Sequence, residues 1–374
     1  MKVLQIVSGR EVNGAVTYCK SLSEQLLSRG LNVTIMHRAE SWLGQQSIPG
    51  AGFFQSEMAR TPHELKRVSR WIREQEFDLI HTHMSRAHFI GVLLRMTSGV
   101  PVIATAHSCT FQLHWVMNDY VIANSRSTLD YQRRINRVRT GRSSMIHCFT
   151  NLQRFQNVTP AQVAEIRRHL GVKPADFLVG VVGQVNRRKG HRFLFEGLPE
   201  LFRRVPNLKV MIVGEFDRDH NYVKRLRRQH LQNGWYGQVQ WLGRRNNVED
   251  YMSAMDLCVV PSVREPLGLV AVESLAACTP VVATRTGGLP EIVIPNENGL
   301  LVPRKNVSAL VAAIEQLAGK PETRKAMGLR GQQMVLDKFS PEFLTDQVMD
   351  VYQKVIGKSS GNLRAGSSGF HRAA

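Results

Sequence analysis

The sequence predicts an α/β protein of two domains, each a doubly wound parallel sheet. Short runs rich in Val, Ile and Leu alternate with longer amphipathic segments along most of the chain, which is the pattern of strand–helix–strand units. The alternation breaks near residues 151–174 and then restarts. A length of 374 residues favours two cores over one.

Taken in order, KVLQIV at 2–7 is the first strand. Gly9 to Gly14 is a loop, and a helix runs through Tyr18 to Arg29. Gly30 ends it, because glycine accepts the left-handed conformation that closes helices. LNVTIM (31–36) is the next strand. Pro62 to Gln75 draws as an amphipathic helix with Leu65, Val68 and Ile72 on one face and Trp71 at its edge. Lys66, Arg67, Arg70 and Arg73 lie opposite. Strands follow at DLIHTH (78–83), PVIATA (101–106) and DYVIAN (119–124). At the junction, Thr159-Pro160 offers an N-cap and a proline at the first helical position. The second series reads FLVGVVG (177–183), LKVMIVG (208–214), VQWLG (239–243), DLCVV (256–260), PVVAT (280–284) and GLLVP (299–303). Ser340-Pro341 starts a last helix, with Phe343, Leu344, Val348, Val351, Tyr352, Val355 and Ile356 at three- and four-residue spacing. The end, KSSGNLRAGSSGFHRAA, is polar and aperiodic and is expected to be disordered. The expected limits are 1–155, 156–339, a helix at 340–357 and a tail at 358–374.

Bulk properties narrow the function classes. Hydrophobic content of 43% suits a globular protein, and no run reaches the roughly 18 apolar residues of a membrane span. The chain opens directly on a strand, so no signal peptide is expected. The five cysteines are scattered without a C-x-x-C pair, so neither a zinc site nor a disulfide framework is expected, and the cytosol is the expected compartment. The formal net charge of +19 points to phosphates on nucleic acid, lipid or substrate. Nucleic acid is disfavoured, because no stacking-aromatic motif or helix-turn-helix signature accompanies the charge.

Asp256 to Gly299 carries the most chemistry. The strand Leu257 to Val260 stops at Pro261-Ser262, a loop carries Glu265, and Gly268 opens a helix that carries Glu273. The next strand ends in Gly287-Gly288. Carboxylates and glycines therefore gather where strands give way to helices, the place where open α/β sheets bind ligands. The helix start at Leu267-Gly268 points unpaired N–H groups outward, and Gly268 lets an anion approach the backbone. Glu273 is suited to accept two hydroxyls of one ribose, and Glu265 to meet a second polyol. The plainer alternative makes Glu265 a cap and Glu273 a solvated helix residue.

Glu265 through Glu273 has the E-x7-E spacing of retaining nucleotide-sugar glycosyltransferases. The chain resembles family 4 of these enzymes, which have the GT-B fold. The resemblance takes in PSVREPLGLVAVESLA, TPVVATRTGGLPEIV, NGLLVP, DLIHTH, VIANS and VVGQVNRRKGH, and spans Met1 to about Ile356. It implies two Rossmann-like domains facing across a cleft, the first for the acceptor and the second for the donor, with the final helix crossing back to the first. It implies that Glu273 holds the donor ribose and Glu265 the hydroxyls of the transferred sugar. Gly268 and the Leu267, Leu269 and Val270 backbone would hold the diphosphate together with Lys189. Gly14, in the glycine loop after the first strand, would approach the same diphosphate, with an ordinary strand–helix turn as the alternative. His107, just past PVIATA, would face the reacting sugar, with a structural histidine as the alternative. Glu265, His107 and Lys189 are thus the candidate catalytic residues.

The chain also departs from the family pattern. Gln184 stands where an arginine is usual, leaving Arg187 or Arg188 to take its place. Cys278 stands where glycine is commoner, a matter of packing. Asp217-Arg218-Asp219 resembles a D-x-D metal motif but sits in the wrong loop. His81 and His83 share a strand face without an evident third ligand. No metal or other cofactor is expected. The implied partners are a nucleotide-sugar donor and a glycan or glycolipid acceptor of lipopolysaccharide or envelope type. Basic faces at 60–73 and 126–142, with Phe111 and Trp115 nearby, imply docking on the inner membrane surface, a solvated basic face being the alternative. A nucleotide-sugar epimerase or a phosphorylase on the same fold is the rival enzyme, although no cofactor-lysine motif of a phosphorylase is present.

Overall fold

The computed structural model describes residues 1–216 and 220–367, with the side chains of 220 and 358–367 not described. The D-x-D look-alike at 217–219 lies outside them. Residues 1–150 and 341–374 form one compact unit and residues 151–340 the other. The first unit holds a seven-stranded parallel sheet in the order β3-β2-β1-β4-β5-β6-β7. Its strands are β1 Lys2–Val7, β2 Asn32–His37, β3 Gly52–Gln55, β4 Leu79–His83, β5 Val102–Ala106, β6 Tyr120–Ala123 and β7 Ser143–Met145. The second holds a six-stranded sheet in the order β10-β9-β8-β11-β12-β13. Here the strands are β8 Phe177–Val182, β9 Leu208–Val213, β10 Val239–Gly243, β11 Leu257–Val260, β12 Val281–Thr284 and β13 Gly299–Val302. Every pairing within both sheets is parallel, as in β1 with β4 and β8 with β11.

In each sheet the strand order reverses once, between β1 and β4 and between β8 and β11. At such a reversal the connecting helices leave on opposite faces and open a crevice at the carboxyl ends of the strands. The central strands are buried on both faces and read as near-continuous apolar runs. For example, all residues of β11 and β12 are buried.

The apolar runs locate eleven of these strands, and the two edge strands of the first sheet, β3 and β7, depart from the reading. β3 is GFFQ, largely exposed, and β7 has three residues. Neither buries enough apolar surface to leave a pattern. The first helix, Gly14–Ser28, starts earlier than Tyr18 because the Asn13 side chain accepts from the Ala15 and Val16 amides. The unit boundary falls before Asn151, earlier than the expected 155. Phe155 is buried, and Arg154 pairs with Glu249 at 2.5 Å within the second unit.

The last helix, Pro341–Ser367, is grouped with the first unit and packs on Gly14–Ser28. Arg29 Nε donates to Asp346 at 3.0 Å across that contact. The helix continues past the expected limit at 357 and takes up residues 358–367 of the expected tail. Extending an existing helix needs no new nucleation. Residues 368–374 lie outside the described ones.

Candidate active site

The sequence-predicted site residues fall in both units. Lys189, Arg187, Glu265, Leu267, Gly268, Leu269, Val270 and Glu273 belong to the second unit, and Gly14 and His107 to the first.

In the second unit, two loops leave the carboxyl ends of β8 and β11, the strands that flank the reversal. Residues 183–190 follow β8 and residues 261–268 follow β11. They are tied together where Val263 N donates to Arg188 O at 2.8 Å. Gly190 makes the close approach possible. Its φ is +73°, and a Cβ there would stand 2.0 Å from Pro261 O. Gly287, at φ +57°, is equally constrained, since a Cβ would lie 1.7 Å from Glu265 O. The glycine after β12 thus allows the backbone of Glu265 to be clasped from the other side, and Gly288 N donates to Glu265 O at 3.1 Å.

Glu265 is the hub. Its side chain is only 8% exposed, and Oε2 accepts from Lys189 Nζ at 2.6 Å and from Ser262 Oγ at 3.0 Å. Arg188 Nη1 stands 3.6 Å from Oε1. Burial alone would push this carboxyl up. Lys189, Arg188 and Ser262 more than reverse that, so it titrates below its ordinary value. Gly268 is the N-cap of the helix Leu269–Ala276, at φ +106°. The first amides of this helix, Leu269 and Val270, lack a carbonyl one turn back and carry the positive end of the helix dipole. Leu267 is buried and its backbone packs against Gly288. Glu273 sits farther along the same helix. Burial raises its pKa to about 7, with Arg154 and Lys189 opposing the rise and Glu249 adding to it.

The structure also separates the two candidate replacement arginines. Arg188 faces Glu265, whereas the Arg187 guanidinium lies over the Tyr222 ring, 5.7 Å from its centroid. Gln184 Oε1 accepts from Asn186 Nδ2 at 3.1 Å, and Asn186 Oδ1 accepts from Lys189 N at 3.0 Å. Gln184 therefore shapes the loop that presents Lys189. Ser262, Arg154 and Glu249 escaped the sequence reading. Ser262 had a signal, standing three residues before Glu265. Arg154 and Glu249 had none, because they are far apart in the chain.

In the first unit, polar side chains on and just past β1, β4 and β5, with Tyr352 of the last helix and Cys148, form one buried chain. With Gln5 placed as it is, each direction follows from the one before. His83 Nε2–H donates to Gln5 Oε1 at 2.8 Å, so His83 Nδ1 is a lone pair and accepts from His107 Nε2–H at 3.2 Å. His107 Nδ1 in turn faces the Cys148 thiol at 3.6 Å. On the other side, Gln5 Nε2 donates to Tyr352 Oη at 3.1 Å. Tyr352 donates to His81 Nδ1 at 2.7 Å, and His81 Nε2–H donates to Thr105 Oγ1 at 2.7 Å. Every member is neutral. Burial pushes His81 and His107 down to about 3 and His83 well below its ordinary value. The His81–His83 pair is thus fully used as hydrogen-bond partners of Tyr352, Thr105, Gln5 and His107. His107 keeps Nδ1 as the one ring nitrogen whose contact, to sulfur, is weak.

Gly14 opens the helix Gly14–Ser28, but the amides behind it are already capped by Asn13 at 3.0 and 3.2 Å. A phosphate arriving there would have to displace that cap.

Comparison with known proteins follows the same division. Residues 12–154 match the model of Glycosyltransferase Family 4, and residues 162–334 that of Glycosyl transferases group 1. The uncharacterized glycosyltransferase MJ1607 of Methanocaldococcus jannaschii is 26% identical, over 92% of this chain and 95% of that protein. The crystal structure of Anabaena Alr3699/HepE with UDP and glucose superposes with a TM-score of 0.85 at 21% identity, over 95% of this chain and all of that one. WaaG, a glycosyltransferase involved in lipopolysaccharide biosynthesis, superposes with a TM-score of 0.73 at 16% identity, over 94% and 99%.

Proposed function

The chain is a glycosyltransferase of the GT-B type, with a family 4 domain followed by a group 1 domain, and we propose that it retains the anomeric configuration while moving a hexose from a nucleoside-diphosphate sugar to a glycan or glycolipid acceptor. One observation carries this reading: a buried carboxylate, Glu265, held by Lys189 and Ser262 beside the open N-terminus of the helix that bears Glu273. Charges of both signs next to free amides suit a ligand that combines hydroxyls with a diphosphate.

In this reading the ribose hydroxyls donate to Glu273, and the hydroxyls of the transferred sugar donate to Glu265. Lys189, Arg188 and the Leu269 and Val270 amides meet the diphosphate and stabilise the charge that grows as it leaves. The bond from the anomeric carbon to the diphosphate oxygen breaks, and a bond from that carbon to the acceptor oxygen forms on the same face. The acceptor proton passes to the departing phosphate, so the reaction needs no separate base and no metal. His107 Nδ1 is the acceptor offered to a sugar hydroxyl by the first unit.

Likeness to HepE, solved with UDP and glucose, favours UDP-glucose as the first donor to test. Likeness to WaaG supports a role in lipopolysaccharide or other envelope-glycan synthesis. Exposed cations of the first unit, Lys66 and Arg70 on the helix Pro62–Glu74 and Arg134, Arg137, Arg139 and Arg142 farther on, support docking on the inner, anionic membrane surface. No helix among the described residues is long and apolar enough to cross a membrane.

The test is a panel of UDP and GDP sugars against wild type, Glu273→Gln and Glu265→Gln, with magnetic resonance reading the anomer of the product and chelator added to a parallel set. One donor bound by the wild type and weakened in both variants supports the reading. Failure of every nucleotide sugar to bind the folded wild type sinks it, and an inverted product sinks the retaining step alone.

A further inference from the structure

Three arginines stand just past the carboxyl ends of neighbouring strands in the first sheet. Arg10 follows β1, Arg38 follows β2 and Arg86 follows β4, and these strands adjoin in the order β2-β1-β4. The reversal of the sheet lies between β1 and β4, so all three are rooted beside its crevice. The loops that carry them are tied together. Trp42 N, in the loop after β2, donates to Arg10 O at 2.7 Å. Gly9 lies against Met84, since a Cβ on it would stand 2.8 Å from Met84 Sδ. Met84 precedes the helix Ser85–Ser98 at φ +74° and ψ 154°, a region almost reserved for glycine. Such strain persists only where the surrounding contacts impose it.

The charges gathered there are poorly answered. Arg38 is half-buried, and Arg10 and Arg86 are exposed. Arg10 pairs with Glu57, but at 3.8 Å and with both side chains about half exposed, where an ion pair contributes little. Among the described residues, the guanidinium groups of Arg38 and Arg86 make no ion pair. Arg86 sits in the first turn of its helix, which has no acidic residue there, so a cation is added where the helix dipole is already positive. Burial, then the charges of Arg10 and Arg86, push the pKa of Arg38 down, and Glu57 offsets them in part. Counting Arg38 itself, three guanidinium groups thus meet one carboxylate, an excess of two positive charges. Like charges held together by the fold repel, and a bound anion removes that cost. A carboxylate would answer one of the two. A phosphate monoester carries close to two negative charges at pH 7 and offers three acceptor oxygens, which suit the planar fork of arginine.

We propose that Arg10, Arg38 and Arg86 bind a phosphate monoester carried by the acceptor glycan. Arg38 and Arg86 hold the phosphate oxygens, and Arg10 exchanges Glu57 for them. The inference names the acceptor class within the proposed function and rests on it.

The test is saturation-transfer magnetic resonance with glucose 6-phosphate, glucuronate and glucose as probes. The proteins are wild type, Arg86→Gln, Arg38→Gln/Arg86→Gln and a charge-matched control in the second unit, Arg225→Gln/Arg228→Gln. The wild type should bind glucose 6-phosphate most tightly and glucose least. A loss of about tenfold is expected in Arg86→Gln, a larger one in the double variant and little in the control. Lys189→Met, which removes a phosphate partner in the second unit, should leave the affinity for glucose 6-phosphate unchanged. Failure of glucose 6-phosphate to bind better than glucose overturns the proposal, and glucuronate binding equally well overturns the phosphate. Equal losses in the double variant and the control leave only diffuse charge and overturn the cluster. Loss of nucleotide-sugar affinity in Arg86→Gln gives the arginines to the donor and overturns the acceptor role. Absence of donor binding by the wild type fails the transferase reading instead.

Discussion

The Glu265 cluster and the histidine chain are both buried polar networks built on parallel sheets, yet they follow opposite principles. The first is ionic, with Glu265 answered by Lys189 at 2.6 Å and by Arg188. The second is neutral throughout, from Cys148 by way of Gln5 to Thr105. An ionic hub can exchange partners with a charged ligand, because in the proposed function an arriving diphosphate would compete for Lys189. A neutral chain offers no such exchange and mainly fixes orientation. Glu273, on the helix that follows the hub, responds to pH in the opposite sense to the histidine chain. A free glutamate ionises near 4.5, whereas Glu273 keeps its proton to about 7, so its stabilising effect is full below 4.5 and is lost as pH rises through 7. Free histidines charge below 6.5, whereas His81 and His107 stay neutral to about 3. Their contribution is full above 6.5 and is lost as pH falls toward 3.

The comparison breaks most readily at its ionic end. Lys189→Met and Glu265→Gln should each lower kcat by about 10²–10³, read from steady-state release of nucleoside diphosphate. A change under threefold would remove the hub from the chemistry. Next is Tyr352→Phe, which leaves Gln5 Nε2 without its acceptor and His81 Nδ1 without its donor. A loss of about 1–3 kcal/mol in urea unfolding is expected, with nucleotide-sugar affinity unchanged, and loss of affinity would show that the chain does more than orient. Glu273→Gln comes third. Donor affinity of the wild type should rise up to about tenfold per pH unit on approaching 7 from below, as the carboxylate able to accept ribose hydroxyls forms. Calorimetry of the variant should give a flat profile, and a parallel slope in both proteins would assign the titration elsewhere. The smallest effect is expected at Cys278. It sits at φ +57° after the helix Leu269–Ala276, and Thr279 N reaches back to Ser274 O at 2.9 Å, the closure that glycine usually makes. Cys278→Gly should stabilise by about 0.5–1 kcal/mol, visible as a small rise in Tm.

How far the sequence could be read follows the same division. The central strands were legible because burial on both faces writes an apolar run, as in LCVV. Glu265, Gly268 and Glu273 were legible because one loop and one helix carry them together. Lys189 needed the family resemblance to be tied to them, since it lies 76 positions from Glu265. The histidine chain was beyond reach. Tyr352 enters it from 271 positions beyond His81 and 347 beyond Gln5, and no local pattern encodes a meeting at that range. One clue went unused: Gln5 is a polar residue in the middle of an otherwise apolar strand, and such a residue must have a partner.

Tyr352 also fixes an order of events during synthesis. The first unit leaves off at Thr150 and resumes at Pro341, so the second unit is an interruption within the first. At about 5–20 residues per second, the ribosome spends roughly 10–40 s on the intervening stretch. Over that interval His81 and Gln5 await the hydroxyl that joins them, and the face of Gly14–Ser28 stays uncovered. The second unit has all its residues before the first does, so the half that begins folding first is the half that finishes last.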